Sequence, residues 1–242
     1  MKQLPAICLT VLLAACGGGG DSAPSIPPAP TATAEGFWEG PASTGVSVAL
    51  AVLETGETWG VYTSSGSIVG ALYGSTTSSG TTLSGSGKDF NIPSRTVGSG
   101  TYSGTFAAKS SINVTTSTGS TLSGTYKTAY DQPASLAALA GTFSGVGVSG
   151  ASPVQTVSVT IASSGTITVP ASLGCSAAGT ATPRPSGKNI FDVAMTFTGS
   201  NCALGNGAST TGIAYYEAAT GRVLVMAMNA AKSDGFIYVG QK

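Results

Sequence analysis

Phe191-Asp192-Val193-Ala194-Met195-Thr196-Phe197 alternates without a fault. Phe191, Val193, Met195 and Phe197 fall on one face and the smaller or polar residues on the other, the period-two signature of a strand with one buried side. The same pattern recurs outward in both directions. Residues 157–161 alternate, Ser163-Ser164-Gly165 turns the chain, and residues 166–169 return. Residues 46–53 run into Glu54-Thr55-Gly56-Glu57 and come back through 58–62. Residues 212–216 turn at Ala218-Ala219-Thr220-Gly221, return as 222–228, and 235–239 add another strand. Glycine and serine at close intervals supply the turns. The expectation is an all-β protein.

One segment departs from the pattern. Asp131-Gln132-Pro133-Ala134-Ser135-Leu136-Ala137-Ala138-Leu139-Ala140-Gly141 reads as a short helix, with Pro133 at its first position and Gly141 ending it. It divides the β region into two parts, 35–131 and 141–242, joined by the helical linker 132–140. Each part has the length for a small antiparallel β-barrel or a sandwich. The parts also read as distant duplicates. Gly36-Phe37-Trp38-Glu39-Gly40 opens one and Gly141-Thr142-Phe143-Ser144-Gly145 the other, and each is followed by an alternating strand and a glycine turn, at Gly56 and at Gly165. No constant short period runs through the chain, which argues against a β-solenoid.

Composition narrows the function. Of 242 residues, only 8% are charged, with ten basic and ten acidic side chains and a formal net charge of zero. Nucleic acid is therefore not an expected partner, since phosphate binding needs clustered Lys and Arg. There is no histidine. That removes Ser-His-Asp and Cys-His catalysis and histidine metal sites. No Gly-x-Ser-x-Gly or Ser-x-x-Lys occurs, and Gly87-Lys88 and Gly187-Lys188 lack the context of a phosphate loop. Glu54 and Glu57 are paired carboxylates in form, but they flank Gly56 in a hairpin turn and read as solvated. Asp192 lies opposite the apolar face of its strand, and Asp89 and Asp234 sit beside a lysine or a glycine turn. The reading is of a protein that is not an enzyme, with no catalytic residue, no metal and no cofactor. Trp38 and Trp59 are read as core, an exposed Trp59 or Tyr62 being the sign of an interaction face. Residues 223–228 are apolar on both faces. That fits a strand with a core on one side and a neighbouring domain or partner on the other, or a barrel roomy enough for an apolar ligand.

The N-terminus carries an address. Lys2 precedes a short apolar run from residue 4 to 13, too short to span a bilayer, and the run ends Leu13-Ala14-Ala15-Cys16. This resembles the lipobox of bacterial lipoproteins. The resemblance implies cleavage of the signal peptide 1–15, lipidation of Cys16 with diacylglycerol and palmitate, and, with Gly17 following, an outer-membrane location. Residues 16–34 are a tether, glycine-rich and then proline-rich. The run Gly17 to Gly20, the paired β regions and the ending Ser233-Asp234-Gly235-Phe236-Ile237-Tyr238-Val239-Gly240 resemble a group of proteobacterial lipoproteins. More distantly, the plan is similar to surface lipoproteins of the transferrin-binding protein B and factor H binding protein type, in architecture and lipobox only. A transmembrane barrel fits less well, because the strands are mostly too short.

Cys8 leaves with the signal peptide and Cys16 takes the lipid. Cys175 and Cys202 then remain in an oxidising compartment, where a disulfide between them is expected to stabilise the fold by roughly 3–4 kcal/mol. The functional expectation is a lipid-anchored, non-enzymatic binding or interaction module of the cell envelope. The alternatives are a lipocalin-like carrier of a small apolar ligand and an envelope inhibitor of a hydrolase.

Overall fold

The structure is a computed structural model that describes residues 33–149 and 152–242. The signal peptide, Cys16 and nearly all of the tether lie outside the described residues.

Two closed antiparallel barrels of eight strands each make up the fold. The first contains β1 (Gly36–Pro41), β2 (Ser47–Val52), β3 (Glu57–Ser64), β4 (Ser67–Ser79), β5 (Thr82–Asn91), β6 (Thr96–Ala107), β7 (Ser111–Thr116) and β8 (Thr121–Tyr126). Each strand pairs with the next, and β8 closes on β1 through Trp38↔Tyr126 and Glu39↔Thr125. The second contains β9 (Gly141–Ser149), β10 (Gln155–Ile161), β11 (Thr166–Ser172), β12 (Cys175–Pro183), β13 (Ile190–Thr198), β14 (Ser209–Glu217), β15 (Arg222–Met228) and β16 (Gly235–Gln241). It is the same up-and-down meander, closed by β16 on β9. Closure leaves neither sheet an open edge, which suits a chain with few charges to guard one.

The matched glycines of the two parts hold equivalent places. A methyl group on Gly40 would overlap the Ser123 carbonyl oxygen across the closing seam, and one on Gly145 would overlap that of Val239. Gly56 and Gly165 both have positive φ, +82° and +87°. Their carbonyls accept from equivalent amides, Thr76 N at 2.7 Å and Ala181 N at 2.8 Å. The repeat seen in the sequence thus marks the closing seam and second hairpin of each barrel.

Between the barrels the chain forms a 3-10 turn, Thr128–Asp131, and one α-helical turn, α1 (Leu136–Leu139). The expected helix is present but shorter. Pro133 precedes it, and Ser135 caps it by accepting from Ala138 N at 3.3 Å. A serine oxygen satisfies an open helix amide, which a proline at that end cannot do. Ala34, assigned from sequence to the tether, is fully buried; its amide donates to Ser78 Oγ at 3.0 Å and its carbonyl accepts from Trp38 Nε1 at 3.1 Å.

One apolar cluster joins the barrels. The cross-strand row Phe37, Ala51, Trp59 and Tyr73 lies on the outer face of the first barrel. It packs with Ile213, Tyr215, Leu224, Met226 and Ile237 from the outer face of the second. Phe37 stacks on Tyr215 with ring centroids 3.7 Å apart. This accounts for the doubly apolar residues 223–228. Val223 and Val225 belong to the interior of the second barrel, and Leu224, Met226 and Met228 belong to the joint. Burying both sets is favourable by roughly 1.5–3 kcal/mol per large side chain.

Candidate functional site

Ion pairs tie the apolar joint across its margin. Lys127 of the first part reaches Glu39 at 3.1 Å and Glu217 of the second barrel at 2.9 Å, and Arg222 pairs with Glu39. Elsewhere Arg184 bridges Glu54 of the first barrel at 2.9 Å and Asp192 at 2.5 Å. Asp131 receives Lys109 at 3.0 Å and Lys188 at 2.7 Å. Burial pushes the Glu217 carboxyl up, but the Lys127 hydrogen bond, Thr220 and the nearby Arg222 outweigh it and hold it below the usual carboxylate range. For Asp131 burial is likewise outweighed by Lys188 and Lys109. Glu57 accepts a hydrogen bond from Tyr73 Oη at 3.1 Å. The Glu54–Glu57 turn is therefore not simply solvated: Glu54 links the barrels and Glu57 orients an aromatic ring at the joint. Asp192, expected at the surface, is 45% exposed and is held by Arg184.

Two concavities lined by large apolar side chains are the candidate sites. The first is a cleft of about 180 Å³ at the joint, where β4, the β5–β6 connection, β15 and the start of β16 converge. Its walls include Trp59, Tyr73, Phe90, Met226, Met228 and Phe236. Arg95 and Asp234 contribute the charges of its lining, and Val97, 53% exposed, forms part of the rim. Lys232 lies over the rings of Trp59 and Tyr73, 5.4 and 4.9 Å from their centroids. Lys88 Nζ donates to the Lys232 carbonyl at 2.7 Å. Trp59 is 2% exposed, yet its Nε1 has no hydrogen-bond partner. Such a donor is costly to leave unsatisfied.

The second is the open end of the second barrel, about 350 Å³, where Val157, Val169, Met195, Phe197, Phe236 and Tyr238 present apolar surface. Cys175 stands at its edge, disulfide-bonded to Cys202 as expected, with the two Cα atoms 4.8 Å apart. The bond pins the loop between β13 and β14 to the start of β12. Burial pushes the Tyr238 phenol up to about 12, so at neutral pH it keeps its proton and donates to the Val157 carbonyl at 3.3 Å. Among the described residues no charged group lines this end.

On the first barrel an open depression of about 600 Å³ lies along β4–β7, lined mainly by hydroxyl side chains such as Ser75, Thr77, Ser86 and Thr101. Ala34, Trp38, Tyr126 and Tyr130 fill one end of this barrel, and a buried hydroxyl chain crosses the interior, with Thr58 Oγ1 to Thr76 Oγ1 at 2.7 Å and Thr76 Oγ1 to Tyr102 Oη at 2.8 Å. Of the two tryptophans, Trp38 is interior and Trp59 is buried from outside by the second barrel. Sequence reading placed Trp59 in the core and missed the cleft beside it. The signal available was its position on the same strand face as Val61, opposite to Thr58 and Gly60. Among the described residues no three or more His, Cys, Asp or Glu side chains are grouped to hold a metal. Comparison of the chain with protein families, characterised proteins and solved structures gives no match.

Proposed function

We propose that this chain is an outer-membrane lipoprotein, anchored through acyl chains on Cys16, that serves as a non-catalytic binding module. The observation that carries the reading is Leu13-Ala14-Ala15-Cys16 at the end of a short apolar run. Two or three acyl chains, each worth roughly 0.8 kcal/mol per buried methylene, hold a protein stably where one chain is marginal. Support for binding over catalysis comes from the acidic groups. Glu39, Glu54, Asp131, Asp192 and Glu217 are committed to ion pairs at or beside the joint. Support for a water-facing passenger comes from the outer face of β4–β8. Thr77, Ser84, Ser103, Thr115 and Thr121 form one exposed cross-strand row there. Hydroxyls in such a row hydrogen-bond to water, and hydrocarbon would leave them unpaired.

Labelled palmitate fed to cells is expected on the mature polypeptide, and Cys16→Ser is expected to move the protein from the membrane to the soluble fraction. An unlabelled mature protein, or unchanged fractionation of Cys16→Ser, rejects the anchor. A second reading, a carrier of a small apolar ligand, is favoured by the uncharged open end of the second barrel. Native mass spectrometry of protein purified from its own host tests it: a bound mass lost on Phe197→Arg supports the carrier, and a bare polypeptide mass counts against it.

A further inference from the structure

The cleft between the barrels combines three features that the open end of the second barrel lacks. Its walls are aromatic and thioether groups drawn from both barrels. It contains a nine-tenths buried side chain, Trp59, whose indole N–H has no acceptor. Its surroundings are positive. Arg95 lines it, Lys88 and Lys232 stand beside it, and among the described residues none of the three makes an ion pair. Asp234 is the one carboxylate in the lining, and one of its oxygens already accepts from Gly235 N at 2.7 Å.

Size selects the ligand. A dry apolar cavity of roughly 150 Å³ takes one benzene ring, and this cleft is about 180 Å³. One ring and a short substituent fill it. Tyr73, Phe90 and Phe236 offer ring edges and faces, and Met226 and Met228 adapt to an irregular outline. The indole N–H calls for an acceptor on the ligand, and the cations at the rim favour a negative one. A hydrogen bond from a buried donor to a charged acceptor is among the stronger kinds.

We infer that the inter-barrel cleft is a binding site for a small aromatic carboxylate, its ring between Trp59, Phe90 and Met226 and its carboxylate received by Trp59 Nε1 and Arg95. This rests on the binding-module reading but is independent of the lipid anchor. The two barrels together build the site, so neither would hold the ligand alone. Trp59 also borders a more polar depression lined by Glu57, Asp192, Arg184 and Lys232, where Arg184 is already paired with Asp192 and no large apolar wall is offered to a ring.

Calorimetric titration of the full mature chain in detergent tests the site, with phenylacetate and ethylbenzene as probes. Phenylacetate is expected to bind with Kd below about 1 mM, within the range for about ten heavy atoms. Ethylbenzene, which has no acceptor, should bind at least tenfold more weakly. Trp59→Phe keeps the packing and removes the donor, so it should erase most of that difference. Arg95→Gln, at an exposed position that leaves the core untouched, should weaken phenylacetate several-fold and leave ethylbenzene unchanged. No heat with phenylacetate at about 10 mM, tenfold above the expected Kd, equal binding of the two probes, or binding indifferent to both substitutions overturns the site. None of these results bears on palmitate labelling, so the cleft and the anchor fail separately.

Discussion

The two barrels share one meander and differ in what occupies them. The first is closed at one end by Ala34, Trp38, Tyr126 and Tyr130 and crossed by the Thr58–Thr76–Tyr102 hydroxyl chain. The second is apolar throughout its middle and open at the end that its disulfide guards. The two barrels therefore share their seam and hairpin glycines while their interiors differ. Seam positions are fixed by backbone clash. Interior positions need only fill volume, and hydrophobic packing tolerates many solutions to that requirement.

The seam is where the shared plan breaks hardest. Gly40→Val or Gly145→Val forces a side chain into the carbonyl of the closing strand. Either change is expected to abolish folding of its barrel, seen as loss of soluble protein and of the β-sheet circular dichroism signal; a variant with wild-type unfolding would refute the seam argument.

The joint comes next. Phe37 is fully buried against Tyr215. Phe37→Ala should cost about 3–5 kcal/mol and split a single unfolding transition into two, one for each barrel, in a urea titration followed by fluorescence. A single transition shifted by less than about 1 kcal/mol would show that the barrels do not depend on each other through this contact.

The disulfide separates the barrels chemically. Replacing Cys175 and Cys202 together with serine is expected to lower the stability of the second barrel by about 3 kcal/mol. The first barrel should unfold as before. Equal destabilisation of both would place the effect in the joint.

The smallest effect is electrostatic. Glu217 and Asp131 have carboxyls held below their usual values. Their contribution is fully present above the unfolded carboxylate pKa of about 4 and is lost as pH falls through the lowered folded values. Lys127 is raised, first by its hydrogen bond to Glu217, so its contribution persists below its unfolded value and fades only in strong alkali. The urea midpoint should be flat from about pH 5 to 9 and fall below about pH 4, with Lys127→Met flattening part of the acid limb. A partly exposed pair gives only about 0–1 kcal/mol.

Much of this architecture was legible because it rests on local pattern. Residues 191–197, 157–169 and 212–228 alternate or turn as strands must, and the structure has β13, the β10–β11 hairpin and the β14–β15 hairpin there. The disulfide followed from counting cysteines. The short helix was placed well and capped wrongly, since Pro133 and Ser135 are both good start signals two residues apart. What did not show was everything set by the packing of one barrel on the other. Trp59, Tyr215 and Met226 look like ordinary strand residues, and nothing in their spacing says that their outward faces meet. The cross-barrel pair Glu54–Arg184 links residues far apart in the chain, and such pairs leave no periodic trace.

Ala34 has a mechanical consequence. Tension drawn along the polypeptide from the residues before Thr33 reaches the fold at Ala34, which is held by Ser78 and Trp38. It then passes into β1, paired on one side with β2 and on the other with β8. A strand flanked on both sides is loaded in shear, with its hydrogen bonds sharing the force together, and cannot be peeled away one bond at a time. Force applied to the N-terminal side of Ala34 would therefore meet both seams of β1 before the barrel could unravel.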